Sequence, residues 1–221
     1  SVAEALQCPT LLLNGYGGHR IEGIGDKHVP WIHNLKNTDM VASIDDNACI
    51  AVMRLFNEPE GHKFLKSLGV SEEVISRLEL LGISGIANLL TSIKTAKYYE
   101  FNENDVVITI ATDSMEMYQS RVQEYREKEG EYTQQQAAVD FGKYIANLGI
   151  DYMLETSHYN KKRMHNLKYF TWIEQQGKEI DELNAQWHED NYWKGQYSLY
   201  KEWDEKIKEF NESTGLLKKY Q

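Results

Sequence analysis

An α/β fold, with a partial, twisted, mostly parallel sheet followed by an all-helical C-terminal extension, is what this 221-residue sequence predicts. Three observations lead there. Short apolar segments of strand type recur through the first 112 residues. All three prolines (Pro9, Pro30 and Pro59) fall within the first 60 residues, and four of the five tryptophans crowd into positions 172–203. The change of composition near Gly130 therefore reads as an α/β portion over 1–129 and a helical extension over 130–221.

Within the first portion, Val2–Leu6, Leu11–Asn14 and Met40–Ile44 have the short apolar character of strands, and Asp46–Phe56 has helical spacing. Ser71-Glu72-Glu73 reads as a helix start, with an N-cap serine and acids in the first turn. A further helix follows Gly82-Ile83-Ser84-Gly85 and runs to about Tyr99, with Ile86, Leu89, Leu90 and Ile93 on one stripe. Asp105–Thr112 is the clearest strand, because its near-continuous β-branched run suits a parallel strand buried on both faces. Asp113 with Glu116 predicts a capping box for the next helix, and Thr133 with Gln136 predicts another. In the extension, a helix over about 160–176 stops at Gly177. The last helix begins after Asp190 and spaces Trp193, Tyr200 and Ile207 seven apart, with Trp203 and Phe210 beside them. That narrow seam suits packing on another helix or a subunit interface, in a homo-oligomer or with a second chain.

Net charge is −10, a field that repels phosphate backbones and argues against a nucleic-acid partner. No apolar run approaches membrane-spanning length, and the start lacks the pattern of a secretion signal. Ser1–Leu6, without an initiator Met, reads as the middle of a strand, so a longer parent chain is expected. Cys8 and Cys49 stand far apart, which favours two thiols in a reducing cytoplasm over a disulfide framework. The seven histidines show no ligand spacing, so no metal is expected.

The most informative stretch is residues 17–30, which holds four glycines and a proline just after an apolar run. Glycine lets backbone bend through positive φ and approach a flat ligand. A dinucleotide-binding turn requires G-x-G-x-x-G leading into a helix, and Pro30 stands against it. Leu11–Gly18 is similar to an esterase oxyanion loop, but Gly82-Ile83-Ser84-Gly85-Ile86 misplaces the second glycine of a nucleophile elbow.

A third reading accounts for more. Val2–Pro9, then Gly18-His19-Arg20-Ile21-Glu22-Gly23-Ile24-Gly25 and Val29-Pro30, resemble a strip of cysteine synthase, whose active-site loop reads G-x-H-K-I-x-G-I-G. Gly82-Ile83-Ser84-Gly85 resembles that family's later G-I-S-S-G helix start, and Val107–Tyr118 its strand and turn beneath the cofactor nitrogen. The matches keep the family's order across about 120 residues. The chain thus resembles the C-terminal half of a fold-type II pyridoxal-phosphate enzyme, like cysteine synthase or tryptophan synthase β. It is closer still to the group called the pyridoxal-phosphate-dependent protein β subunit.

The resemblance implies pyridoxal 5'-phosphate as cofactor and an amino acid as substrate, in β-elimination or β-replacement. It implies cofactor-binding roles for Gly23, Gly25, Ser84, Thr112 and Asp113. A hydroxyl at Thr112 would leave the ring nitrogen neutral, and a carboxylate at Asp113 would hold it protonated. Helix capping is the ordinary alternative for both Asp113 and Ser84. The family's Schiff-base lysine and glycine-rich phosphate cup have no match here, and Lys27, nearest by position, reads as a solvated loop residue. The chain alone is therefore expected to be inactive, completed by the missing N-terminal half or a second chain. The rival reading is a non-catalytic regulatory or scaffolding subunit that uses its aromatic helices as an interface.

Overall fold

The computed structural model describes residues 1–219, in which helices surround a small mixed sheet. The first half runs β1 (Val2–Ala5), α1 (Thr10–Leu13), β2 (Met40–Ile44), α2 (Asp46–Asn57), α3 (Pro59–Ser67), α4 (Glu72–Ile75) and α5 (Ile83–Tyr98). The second half runs α6 (Gln119–Glu129), α7 (Gln134–Phe141), β3 (Met153–Glu155), α8 (His158–Asn166), α9 (Ile180–His188), α10 (Tyr192–Ser198) and α11 (Tyr200–Thr214). Two π-helical turns, Gly142–Ala146 and Tyr169–Gln175, extend α7 and follow α8.

β1 and β2 pair in parallel, with Val2 opposite Val41 and Ala5 opposite Ile44. β3 pairs antiparallel on the far side of β2, leaving β1 at an edge. Every residue of β2 is buried, as a strand covered on both faces requires. Alternation sorts the side chains: Ala5 and Ile44 enter the main core with α2 and α5, while Val41 joins Leu11, Val29, Leu35 and Met164 on the opposite face. The fold is α/β, but the sheet is three-stranded and mixed rather than mostly parallel. The extension is not all-helical, because its Met153–Glu155 satisfies the outer edge of β2.

Local signals held where they were self-contained. Asp45 caps α2 by accepting from Asn47 N at 3.0 Å and Ser71 caps α4; α5 ends within a residue of expectation but begins at Ile83, inside the Gly82–Gly85 stretch it was expected to follow, with Gly82 rather than Ser84 at the N-cap. Thr133 accepts from Gln136 N at 3.1 Å, but the Gln136 side chain turns to Asp140, so that box is one-sided.

Three expectations are corrected. Leu11–Asn14 is not a strand; Thr10–Leu13 is a helical turn, since the buried Glu4 carboxylate accepts from Leu11 N (2.8 Å) and Leu12 N (3.0 Å). Asn14 then closes it in the left-handed conformation. Asp105–Thr112 is extended but pairs with no strand, and its apolar side chains lie in solvent. Asp113 forms no capping box: Ser114 precedes a 3-10 turn, Met115–Tyr118, without a side-chain cap.

The second half is fastened to the first by buried polar groups. Lys168, fully buried, donates to Trp31 O, His33 O and Gln186 Oε1 at 2.7–2.8 Å, and Trp172 Nε1 donates to Val29 O. Trp193 belongs to this core, whereas Tyr200, Trp203, Ile207 and Phe210 of its expected seam stay at least half exposed on α11. No single helix among the described residues is long and apolar enough to cross a membrane.

Candidate functional site

The glycine stretch is an irregular loop pinned by its own polar residues. His19 Nδ1 accepts from Ile21 N, so Nε2 carries the proton and donates to Gly25 O at 2.7 Å. Arg20 makes a forked pair with Asp46, Nε to Oδ2 at 3.0 Å and an Nη to Oδ1 at 2.7 Å. That pair holds the Asp46 carboxyl below the usual carboxylate range. Glu22 accepts from Arg121 Nε at 2.6 Å, and Thr10 Oγ1 donates to Asp26 O at 3.0 Å.

Between these anchors, Gly23 and Gly25 adopt φ of +94° and +83°. A Cβ on Gly25 would lie 2.5 Å from His19 Nε2 and 3.0 Å from Ala5 Cβ, which puts this glycine against the carboxyl end of β1. A Cβ on Gly23 would lie 3.3 Å from Ser84 Oγ. Both glycines line a cavity of about 560 Å³, together with Ala3 and Glu4 of β1, Thr10 and His28. Burial raises the Glu4 carboxyl, and Ser43 Oγ donates to it at 2.7 Å. Burial also lowers His33, on the same wall, to about 4.

Ser84 lies in the first turn of α5, fully buried, while Gly82 takes the N-cap position. Its hydroxyl is thereby free to meet Thr112 Oγ1 at 2.6 Å. Thr112 Oγ1 sits 3.4 Å from Asp113 Oδ1, whose Oδ2 accepts from Tyr118 OH at 2.6 Å. That bond pushes the tyrosine hydroxyl up to about 12. Gly82 N donates to Asp113 O, tying the turn to the helix start.

The five residues singled out by resemblance thus converge at one corner: Gly23 faces Ser84, Ser84 bonds Thr112, Asp113 follows, and Gly25 sits across the loop. Thr112 is exposed and Asp113 half-buried, so one hydroxyl and a carboxylate are accessible at this corner; of the five residues only Gly23 and Gly25 line the cavity. Lys27 is exposed, as expected of a solvated loop residue, and is not among the residues lining the cavity. Sequence reasoning missed Glu4 and Tyr118. A buried acid in a strand followed by Pro-Thr was the available signal for Glu4; Tyr118 had none. His19 offers no ring nitrogen to a ligand, because both are used within the loop.

Among the described residues no group of three or more His, Cys, Asp or Glu is placed to hold a metal ion. No family model, no curated protein and no solved structure matches this chain.

Proposed function

We propose that this chain is the C-terminal portion of a fold-type II, pyridoxal-phosphate-dependent amino-acid lyase or synthase. It would act by β-elimination or β-replacement, and it is inactive until a segment bearing the Schiff-base lysine joins it. The observation that carries the reading is the Ser84–Thr112 hydroxyl pair beside Gly23, where three segments far apart in sequence meet.

The residues present fit one edge of that cofactor. Gly23 and Gly25, both at positive φ, line the cavity of about 560 Å³ and put no side chain between it and the loop backbone. When bound, the cofactor supplies an electron sink for negative charge at the substrate Cα. Thr112, braced by buried Ser84, would hold the ring nitrogen through its hydroxyl, which leaves that nitrogen neutral. Asp113, whose Oδ2 accepts from Tyr118, lies next to Thr112 and would hold that nitrogen protonated if it were the partner instead. Gly23 and Gly25 would carry main chain to the ring edge. The phosphate cup and the lysine come from the completing segment, the setting is the cytoplasm, and the complete enzyme forms homo-oligomers.

The test is the native mass and spectrum of the protein made from its own gene. The expected result is an assembly heavier than 25.7 kDa that binds the cofactor, with Thr112→Val altering the pH dependence of the bound cofactor's absorbance. A native assembly containing this chain that takes up no cofactor overturns the reading.

The second reading, a regulatory or scaffolding subunit, rests on the α11 row Tyr200, Trp203, Ile207 and Phe210, each 50–60% exposed. A native mass near that of this chain, with no bound cofactor, favours it.

A further inference from the structure

β1 is an edge strand whose outer side no strand of the described residues covers. Leu6 N donates to Ile44 O, so the even residues address β2, and the N–H and C=O of Ala3 point outward. Opposite that edge runs the extended segment 105–112. Its direction follows from two contacts with α5. Thr95, near the helix's end, bonds Ser1 at the start of β1, whereas Ser84, at the helix's beginning, bonds Thr112. Residues 105–112 therefore run parallel to β1, across the same helix.

Between them lies a slot of about 220 Å³, with Ala3 on one wall, Val106–Thr109 on the other, and Asn88, Thr91 and Thr95 of α5 as its floor. Thr91 Oγ1 is buried and has no partner, although Thr91 lines this slot. A buried hydroxyl left unpaired is destabilising, and a backbone group entering the slot would give it a partner. Val106, Ile108 and Ile110 are 80%, 85% and 66% exposed, though their composition is that of a buried strand. No backbone hydrogen bond joins residues 106–112 to a strand. Ala3 also lines the 560 Å³ cavity on the opposite face, so the edge of β1 opens to both sides.

The geometry points to strand insertion: an extended segment of a separate polypeptide enters between β1 and residues 106–110 and extends the sheet across the open edge of β1. The occupant is a β-strand, because both walls offer main-chain donors and acceptors. Its side chains are small and apolar or hydroxylated, to fit short floor residues such as Thr91 and Thr95. A second copy of this chain is a poor occupant. Its own 105–112 is tethered by the Asn102–Asp105 turn at one end and by Gly82–Asp113 at the other. The inference deepens the proposed function, whose completing segment it locates, but needs no cofactor.

Amide hydrogen exchange on the full chain tests it, using as probe a short peptide of alternating valine and threonine with lysines at its ends. The expected result is fast exchange at Val106–Ile110 and Ala3 in the free chain, slowed at least about tenfold by the peptide and restored when alternate residues of the peptide are proline. Three results overturn it: no protection at saturating peptide, protection already present in the free chain at every dilution, or protection that follows chain concentration together with a dimer mass. Protection by the peptide alongside a native assembly that binds no cofactor would sink the catalytic reading and leave this one standing.

Discussion

Two irregular stretches of this molecule invite comparison, the glycine loop at 17–30 and the extended run at 105–112. The loop buries only Ile21 and Val29 fully, and it is held besides by His19, Arg20 and Glu22 from inside and by Asp46, Arg121 and Thr10 from outside. The run is rich in valine and isoleucine, yet between its anchored ends only Asn88, donating to Ile110 O, holds it. Side-chain anchors make a loop a self-sufficient piece of structure. A β-branched run has no such sufficiency, because its satisfaction lies in the backbone of a neighbour.

The sharpest way to break the comparison is to release the loop. Arg20→Ala leaves the buried Asp46 carboxylate without its forked partner and should destabilise the protein by about 3 kcal/mol in urea unfolding. An unchanged midpoint would mean that the loop is held otherwise. Gly25→Ala combines positive φ with a Cβ overlapping His19 and should cost about 2 kcal/mol. Gly18→Ala, with nothing within 4 Å of its Cβ position, is the matched control and should be neutral.

Proton linkage separates the two ends of the loop. The depressed Asp46 carboxyl contributes stability above the ordinary carboxylate range, and this is lost as pH falls through its folded value. At the far end, burial lowers Lys168 from 10.5 to about 7, so the unfolded chain binds more protons between those values. Stability should rise with pH across that window, and Lys168→Met should remove the rise. Unfolding followed across both windows decides each sign. The smallest effect belongs to the bare run. Ile108→Ser should alter the stability of the isolated chain by less than about 0.5 kcal/mol, and a larger loss in thermal unfolding would show that the run is packed after all.

Much of the site was legible because its signals are local or carried by motif. Gly23 and Gly25 announce positive φ, and Gly82-Ile83-Ser84-Gly85 announces a helix start, whatever surrounds them. Thr112 and Asp113 were placed by resemblance, and their meeting with Ser84 follows from the parallel course of β1 and 105–112 across α5. The anchors were less legible: Arg20 and Asp46 pair across 26 residues, and Glu22 and Arg121 across 99. In the aromatic row, Trp193 turned into the core and Tyr200, Trp203, Ile207 and Phe210 did not, since spacing defines a face but not what covers it.

By itself the amino-acid sequence determined the α/β character, the bounds of α2, the end of α5, the caps at Ser71 and Thr133, and the two turning glycines, all set by interactions within a few residues. Tertiary structure alone decided that Thr10–Leu13 coils, because the acid receiving its amides sits on β1. It also decided that Met153–Glu155 becomes a strand and that Asp105–Thr112 does not. Strand pairing and remote capping join groups distant in the chain, so a residue's own neighbourhood cannot specify them.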